Sequence, residues 1–142
     1  MELTPGGHLA VESPAPGLHV VRFARPDLRP QLDYGAGVDQ CELFRELHDH
    51  VLADFGEGET LVFNLALVEP FPSVFLNFFL KVRELVRARG GRLVLCRLSP
   101  EHEEIFAITQ LGGLFEIVPT ESQAVHEAGF WPGPEGLRLP RS

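Results

Sequence analysis

The sequence predicts a single α/β domain with a mostly parallel sheet of four to five strands and about four helices. Two patterns carry this prediction. Short, nearly continuous apolar runs, typical of strands buried on both faces, alternate with longer runs in which apolar residues recur at helical spacing. Because strand–helix–strand connections within one sheet are right-handed crossovers, this alternation favours parallel strands. A length of 142 residues allows one domain with a sizeable core.

The N-terminal region predicts an edge hairpin. Residues 1–17 are rich in proline and glycine but contain the alternating run HLAVE, which can pair with LHVVRF across a turn at Pro16 and Gly17. Residues 24–37 have no clean period and are interpreted as a loop. The chain is therefore divided into an N-terminal segment with the first edge strand (1–17), a main domain (18–128) and a C-terminal tail (129–142).

The first predicted helix covers residues 39–54. Asp39 and Glu42 have the spacing of a capping box, in which the Asp39 carboxylate accepts hydrogen bonds from early amides of the helix. Gly56 follows and ends the helix. One face is expected to pack inward because its apolar residues recur at helical spacing: Leu43, Phe44, Leu47, Val51 and Leu52.

Strands and helices alternate through the rest of the chain. Gly90 opens a glycine pair that suits the end of a helix, where a left-handed residue is common. Ser99 and Pro100 have the order of an N-cap followed by the first helical residue, and Thr120 is placed to cap a last short helix. The predicted elements are strands 60–68, 92–98 and 114–118 and helices 74–89, 100–110 and 121–128.

Charge and hydropathy exclude several classes of protein. The net charge of -8 argues against a nucleic-acid binder, which needs a basic face, and against binding to anionic lipid. The longest apolar run, residues 74–80, is far shorter than a membrane span. Because the N-terminus also lacks a basic region followed by an apolar one, we expect a soluble, cytoplasmic protein.

Cysteine and histidine spacing gives no sign of a metal site. Cys41 and Cys96 are far apart and are interpreted as two small buried thiols. The run His48-Asp49-His50 looks like a metal cluster, but residues two apart on a helix point to different faces. The sequence therefore predicts no metal and no cofactor.

Ser73 lies in the stretch PFPSVFLNFFL, between a proline and a dense apolar run. As an acyl-transfer nucleophile it would need the glycines of a nucleophile elbow, but Phe71 and Phe75 occupy those positions. As the N-cap of helix 74–89 its hydroxyl would accept an early amide. A phosphate at the same place would be stabilised by the amides and the helix macrodipole. Capping is the role that we predict, and phosphorylation stays open as the alternative.

Several features follow one another between residues 60 and 128. They are a buried strand, a short turn with serine, a helix ending in Arg-Gly-Gly, a strand ending near Cys96, a Leu-Ser-Pro helix start and the stretch LGGLFEI. In this order they resemble the STAS domain, the fold of bacterial anti-sigma-factor antagonists. The N-terminal half resembles that family by element order only.

The resemblance also implies a regulatory site at the turn before helix 74–89. In that family the turn commonly reads Asp-Ser-Ser-Gly, and a partner kinase that is also the anti-sigma factor phosphorylates the second serine. Counting back from Gly90 places Pro72, Ser73, Val74 and Phe75 on those four positions. The resemblance therefore implies that Val74 occupies the phosphorylated position, so either Ser73 substitutes for it or the domain has no serine switch.

Together these patterns predict a non-enzymatic domain for signal transduction and transcription regulation that binds a protein partner. The partner would be an anti-sigma factor of the serine-kinase type, or another STAS module. The alternative is a self-associating scaffold that forms a homo-oligomer. Helix 74–89 is apolar on more than one stripe, which leaves a contact surface exposed unless other helices cover it. The predicted partner-binding residues are Phe71, Pro72, Ser73, Val74, Phe75, Leu76, Phe79 and Leu80.

Overall fold

The computed structural model describes residues 2–24, 41–68, 74–110 and 112–127, with the backbone alone at positions 2, 74, 75 and 127. These residues form six strands and four α-helices. The strands are β1 (Glu2–Leu3), β2 (Leu9–Ala15), β3 (Leu18–Phe23), β4 (Thr60–Asn64), β5 (Arg92–Cys96) and β6 (Glu116–Val118). The helices are α1 (Glu42–His50), α2 (Val74–Ala88), α3 (Pro100–Ile108) and α4 (Glu121–Glu127), with short 3-10 turns at Leu52–Asp54 and Gly112–Leu114.

All six strands belong to one sheet, in which they lie in chain order from β1 to β6. The first three pair antiparallel, and β3 to β6 pair parallel. The β2–β3 hairpin turns at Gly17, whose φ of 78° lies in the left-handed region that glycine adopts without steric cost. The predicted α/β class, the mostly parallel sheet and the edge hairpin are confirmed.

The two faces of the sheet are covered by different helices. Because each parallel strand follows its neighbour in the chain, successive right-handed crossovers place α1, α2 and α3 on the same face. Their apolar residues pack on the strand residues Leu9, Val21, Phe23, Leu61, Phe63, Leu93 and Leu95. On the other face, Ala124 of α4 packs on a smaller cluster made of Leu18, Val20, Val62, Val94 and Cys96.

Strand β4 is the centre of the sheet, and each of its five residues is buried. This confirms a strand covered on both faces, but the predicted length, residues 60–68, is wrong. The strand ends at Asn64 because the Asn64 side-chain oxygen accepts a hydrogen bond from the amide of Ala66 at 2.9 Å, which turns the chain. Strand β5 is also shorter than predicted: it ends at Cys96, and Arg97 has a φ of 61°.

Helix α1 begins three residues later than the sequence predicts. Its N-cap is Cys41, whose sulfur accepts a hydrogen bond from the amide of Phe44 at 3.4 Å. The prediction that Asp39 caps this helix is therefore wrong, and Asp39 itself lies outside the described residues. Sequence patterns favour carboxylates as caps and gave no reason to expect a thiol in this place.

Two other predicted helix starts are confirmed. The Ser99 hydroxyl accepts a hydrogen bond from the amide of His102 at 3.1 Å, and Pro100 is the first residue of α3. His102 completes the cap, since its Nδ1 accepts a hydrogen bond from the Ser99 amide at 3.1 Å. At α4 the Thr120 hydroxyl accepts a hydrogen bond from the amide of Gln123 at 3.1 Å.

Candidate functional site

The parallel strands end side by side at one edge of the sheet, which we call the carboxyl edge. Arg22 of β3, Asn64 of β4, Cys96 of β5 and Val118 of β6 are neighbours in register along this edge. Strand β4 ends at this edge with Asn64, and the predicted regulatory turn lies in the chain between Asn64 and the start of α2 at Val74. In open parallel sheets, binding sites concentrate at this edge.

A hydrogen-bonded network of three polar side chains crosses the carboxyl edge. Glu121, in the first turn of α4, accepts hydrogen bonds on Oε1 from Arg22 Nε and from Asn64 Nδ2, each at 2.8 Å. Arg22 Nη2 also pairs with Glu121 Oε2. The carboxylate therefore ties α4 to two adjacent strands and fixes the position of Asn64, the last residue of β4.

Electrostatics keep this network charged. Burial raises the pKa of the Glu121 carboxyl, but hydrogen bonds from Arg22 and Asn64 together outweigh it, so the pKa lies below its ordinary value. The hydrogen bond to Glu121 also raises the pKa of Arg22. Glutamate and arginine are thus both ionised at neutral pH, and the edge is held by a charge-assisted pair.

An apolar side chain is exposed directly beyond this network. After Asn64 the chain makes a tight turn in which the amide of Val68 donates to the carbonyl of Leu65 at 3.1 Å. Leu65 and Val68 point into the core, whereas the Leu67 side chain between them is 62% exposed. Sequence patterns did not indicate that Leu67 is exposed, because the apolar run 60–68 predicted one buried strand. The polar Asn64 within that run was the signal that the strand ends early.

Three residues of the predicted contact surface lie on the first turns of α2. Leu76 is 2% exposed and Phe79 is fully buried, while Leu80 is half-buried and packs against the core. The expectation that Leu76 and Phe79 are exposed is wrong. Helix α2 lies between two others on the same face, since Phe79 meets Phe106 of α3 at 6.3 Å between ring centroids and Phe78 meets Phe44 of α1 at 6.4 Å.

The other predicted contact residues surround the start of α2. Phe71, Pro72 and Ser73 lie outside the described residues, as do the side chains of Val74 and Phe75. The backbone of α2 begins at Val74, so the chain places Ser73 directly before the first helical residue, where an N-cap belongs. Its role as a cap stays a prediction.

The two cysteines are free and buried, as predicted. Burial raises the pKa of the Cys96 thiol to about 12 and also raises that of Cys41. A thiol is nucleophilic only as the thiolate, so neither group is activated for chemistry. Cys96 lies in the carboxyl edge, where it acts as a small apolar side chain.

A second row of polar groups lies at the opposite edge of the sheet. His19 Nδ1 is 3.4 Å from the Ser13 hydroxyl, and His19 Nε2 is 2.8 Å from Glu59 Oε1. The order resembles a catalytic triad, but Ser13 is exposed, the hydroxyl contact is long, and Glu59 also accepts a hydrogen bond from the Gly56 amide at 2.7 Å. These contacts hold the loop before β4 against β3.

The histidines of α1 do not gather around one point. His48 and His50 are both exposed, and the described contact in this run joins His48 Nδ1 to the neighbouring Asp49 at 3.4 Å. A different histidine, His8, is buried against Glu46 of the same helix, with 2.7 Å between His8 Nδ1 and Glu46 Oε1. Sequence reasoning missed this pair because its members are 38 residues apart.

No helix within the described residues is long and apolar enough to cross a membrane.

Comparison with known proteins gives one family and one fold. The sequence profile of the STAS domain family matches residues 41–124, which is more than half of the chain. A STAS domain protein from Planctomyces limnophilus, an anti-sigma-factor antagonist, is 18% identical with a TM-score of 0.63, over 85% of this chain and 97% of that one. No curated protein matches the chain.

Two further solved structures share the fold. A candidate anti-sigma factor antagonist from Thermotoga maritima is 16% identical with a TM-score of 0.66, over 85% of this chain and 94% of that one. The anti-sigma factor antagonist SpoIIAA, in its unphosphorylated form, is 20% identical with a TM-score of 0.63, over 85% of this chain and 96% of that one. At these identities the likeness concerns the fold alone.

Proposed function

The chain belongs to the STAS domain family, and from that premise we propose that it is a non-enzymatic regulatory domain that binds a protein partner at its carboxyl edge. The partner would be an anti-sigma factor of the serine-kinase type, as expected for a domain that resembles anti-sigma-factor antagonists. The contact surface would be Leu67 together with the turn Phe71, Pro72 and Ser73 and the exposed part of the first turns of α2.

One observation carries the proposal: three residues after Asn64, in the described start of the connection from β4 to α2, the chain exposes Leu67. The Leu67 side chain is 62% exposed although the nearby Leu65 and Val68 are buried. Apolar side chains in the centre of a contact supply much of the binding energy of protein interfaces. The segment after Leu67 adds Phe71 to the same connection.

The polar network behind this segment supports a pre-organised surface. Glu121 fixes Asn64 through a hydrogen bond of 2.8 Å, and Asn64 in turn fixes the first residues of the connection through the Ala66 amide. A segment that is held before binding loses less conformational entropy on association. The network thus has a role in recognition without contacting the partner.

Regulation of this surface would differ from the usual serine switch. The family resemblance implies that Val74 occupies the position of the phosphorylated serine, and a valine has no hydroxyl to modify. Binding would then be controlled by the availability of the partner or by Ser73, which follows Pro72 and precedes α2. The absence of an activated thiol at Cys96 and Cys41 supports a binding role over a catalytic one.

Self-association is the alternative, and one observation favours it. Leu3, on the two-residue edge strand β1, is 64% exposed, and an edge strand offers unpaired backbone groups to a second copy. In that case the homo-oligomer would form along β1, at the outer side of the sheet and three strands from β4. Light scattering on the purified protein distinguishes a monomer from such an assembly.

The test is binding of a purified anti-sigma factor kinase from the same organism, measured by calorimetry against the wild type and two matched variants. Leu67→Glu should reduce affinity at least about tenfold, because it places a charge in the centre of the contact. Ile108→Glu changes an equally exposed apolar residue, 71% exposed, at the far end of α3 and should bind as the wild type does. Equal affinity of both folded variants and the wild type would remove the carboxyl edge as the contact.

A further inference from the structure

A buried polar cluster joins the N-terminal strands to α1, next to the end of β3, where the Ala24 amide donates a hydrogen bond to the His8 carbonyl at 2.8 Å. His8, in the loop between β1 and β2, is 5% exposed, and Glu46 of α1 is 9% exposed. His8 Nδ1 lies 2.7 Å from Glu46 Oε1, and the His8 amide donates a hydrogen bond to Glu46 Oε2 at 3.2 Å. The Thr4 hydroxyl donates to Glu46 Oε2 as well. The carboxylate is therefore oriented by three partners on the loop.

A second carboxylate lies beside this cluster. Glu42 is one helical turn before Glu46, so both side chains project from the same face of α1. One ligand atom from each of His8, Glu42 and Glu46 can be chosen so that all three lie within 4.8 Å of one another. His8 and Glu46 are buried, whereas Glu42 is exposed and closes the group toward solvent.

The loop is shaped around the Glu46 carboxylate. A Cβ atom added at Gly6 would lie 2.3 Å from Glu46 Oε1 and 3.0 Å from His8 Nδ1, so glycine is needed for the backbone to pass this close. This close packing at Gly6 and the Thr4 hydrogen bond restrict the orientation of the Glu46 carboxylate. Outer contacts of this kind position the ligands of metal sites.

The charges of the cluster favour a bound cation. Glu42 and Glu46 form a like-charge pair at i and i+4, which destabilises a helix unless the charge is compensated. The chain as a whole is strongly acidic, with a net charge of -8, which raises the local concentration of cations.

We propose that His8, Glu42 and Glu46 bind a divalent transition-metal ion of the Zn²⁺ type. One imidazole nitrogen and two carboxylate oxygens are a suitable ligand set for this class, with bonds of about 2.0–2.2 Å and a position left for water. A ligand set dominated by oxygen alone would favour Mg²⁺ or Ca²⁺, whereas the buried imidazole favours Zn²⁺. The ion would replace the direct contact between His8 and Glu46 and join the N-terminal strands to α1.

The test uses Zn²⁺ alone as the probe on the purified full chain, after removal of metal with a chelator. Calorimetry should show one Zn²⁺ per chain, and the thermal midpoint should rise with Zn²⁺ concentration because the ion binds the folded state. Glu42→Gln is the decisive variant, since Glu42 is exposed and its replacement should leave the fold intact. This variant should lose at least about tenfold in Zn²⁺ affinity.

The matched control changes the exposed histidines of the same helix. A double variant, His48→Gln with His50→Gln, should bind Zn²⁺ like the wild type and show the same rise in thermal midpoint. A wild type without stoichiometric Zn²⁺ binding overturns the proposal. So does binding that survives Glu42→Gln and His8→Gln in folded protein, or binding that the double variant abolishes.

Discussion

Arg22 and Glu121 are 99 residues apart in the chain, yet Arg22 Nε lies 2.8 Å from Glu121 Oε1. The pair joins β3 to the start of α4, and Asn64 of the intervening strand donates to the same carboxylate oxygen. The partly buried Glu121 carboxylate therefore joins three elements, β3, β4 and α4, at the carboxyl edge. This arrangement fixes the relative positions of Arg22, Asn64 and Glu121 at the carboxyl edge.

The first prediction concerns the pH dependence that Glu121 introduces. The pKa of Glu121 is lower in the folded protein than its ordinary value of 4.5. The stability it contributes is fully present above that value and is lost as the pH falls through the folded pKa, because the unfolded chain binds the proton first. Glu121→Gln should therefore lose less stability between about pH 7 and pH 3 than the wild type does.

Urea unfolding across that pH range measures this effect. Glu104→Gln, an exposed glutamate of α3, serves as the control and should keep the pH dependence of the wild type. Glu59, whose pKa is also lowered by the Gly56 amide and by His19, contributes in the same direction and stays present in both variants. A Glu121→Gln profile parallel to that of the wild type would contradict the assigned charge network.

The second prediction distinguishes a core residue of α2, Phe79, from an exposed residue of the connection before it, Leu67. Phe79 is fully buried among aromatic rings, so Phe79→Ala should cost about 3–5 kcal/mol of unfolding free energy. The Leu67 side chain is 62% exposed, so Leu67→Ala should cost no more than about 0.5 kcal/mol of unfolding free energy. Denaturant unfolding gives both values. A small loss of unfolding free energy in Phe79→Ala would show that Phe79 lies at the surface and would contradict its packing in the core.

The third prediction concerns Ser73 as a cap of α2. Ser73→Ala should lower the unfolding free energy by about 1 kcal/mol, and Ser73→Asp should be tolerated because aspartate also caps and suits the helix dipole. Ser99→Ala provides the matched reference, since Ser99 caps α3 in the structure and should show a loss of similar size. Abundant phosphate on Ser73, found by mass spectrometry of protein from its native cell, would make phosphorylation its main role.

The fourth prediction concerns the thiols. Cys41 is 2% exposed and Cys96 is fully buried, and burial raises the pKa of Cys96 to about 12. Both should be unreactive toward a thiol reagent such as Ellman's reagent near neutral pH, and both should react at once after unfolding in guanidinium. Rapid reaction of one thiol in the native protein would show that its side chain reaches solvent through local opening.

The sequence predicted the architecture because local patterns determine it. Apolar runs identified β4 and β5, and the Ser99 and Thr120 caps located α3 and α4. Burial of α2 on both flanks could not be predicted this way. That burial depends on α1 and α3 lying on the same face, which the chain-order sheet imposes, so the apolar stripe containing Phe79 was assigned to a partner.

Sequence patterns could not predict the polar contacts, for a different reason. Glu121 with Arg22, and Glu46 with His8, are pairs separated by 99 and 38 residues, and no periodicity links such positions. A glutamate on the polar face of a predicted helix is expected to be exposed to solvent. Only the fold shows that a distant strand or loop packs against it. One local clue existed, because Asn64 is polar within an otherwise apolar run.

The most direct test of the central claim is an NMR titration of the isotope-labelled protein with the proposed partner, a purified anti-sigma factor kinase from the same organism. We expect the largest backbone shifts at Asn64 and Leu67, in the following turn and at the start of α2, with Leu67→Glu abolishing them. The loop at Gly56 and Glu59, at the opposite edge, should stay unperturbed. Perturbations centred on that loop or on β1, or no binding at all, would contradict a contact at the carboxyl edge.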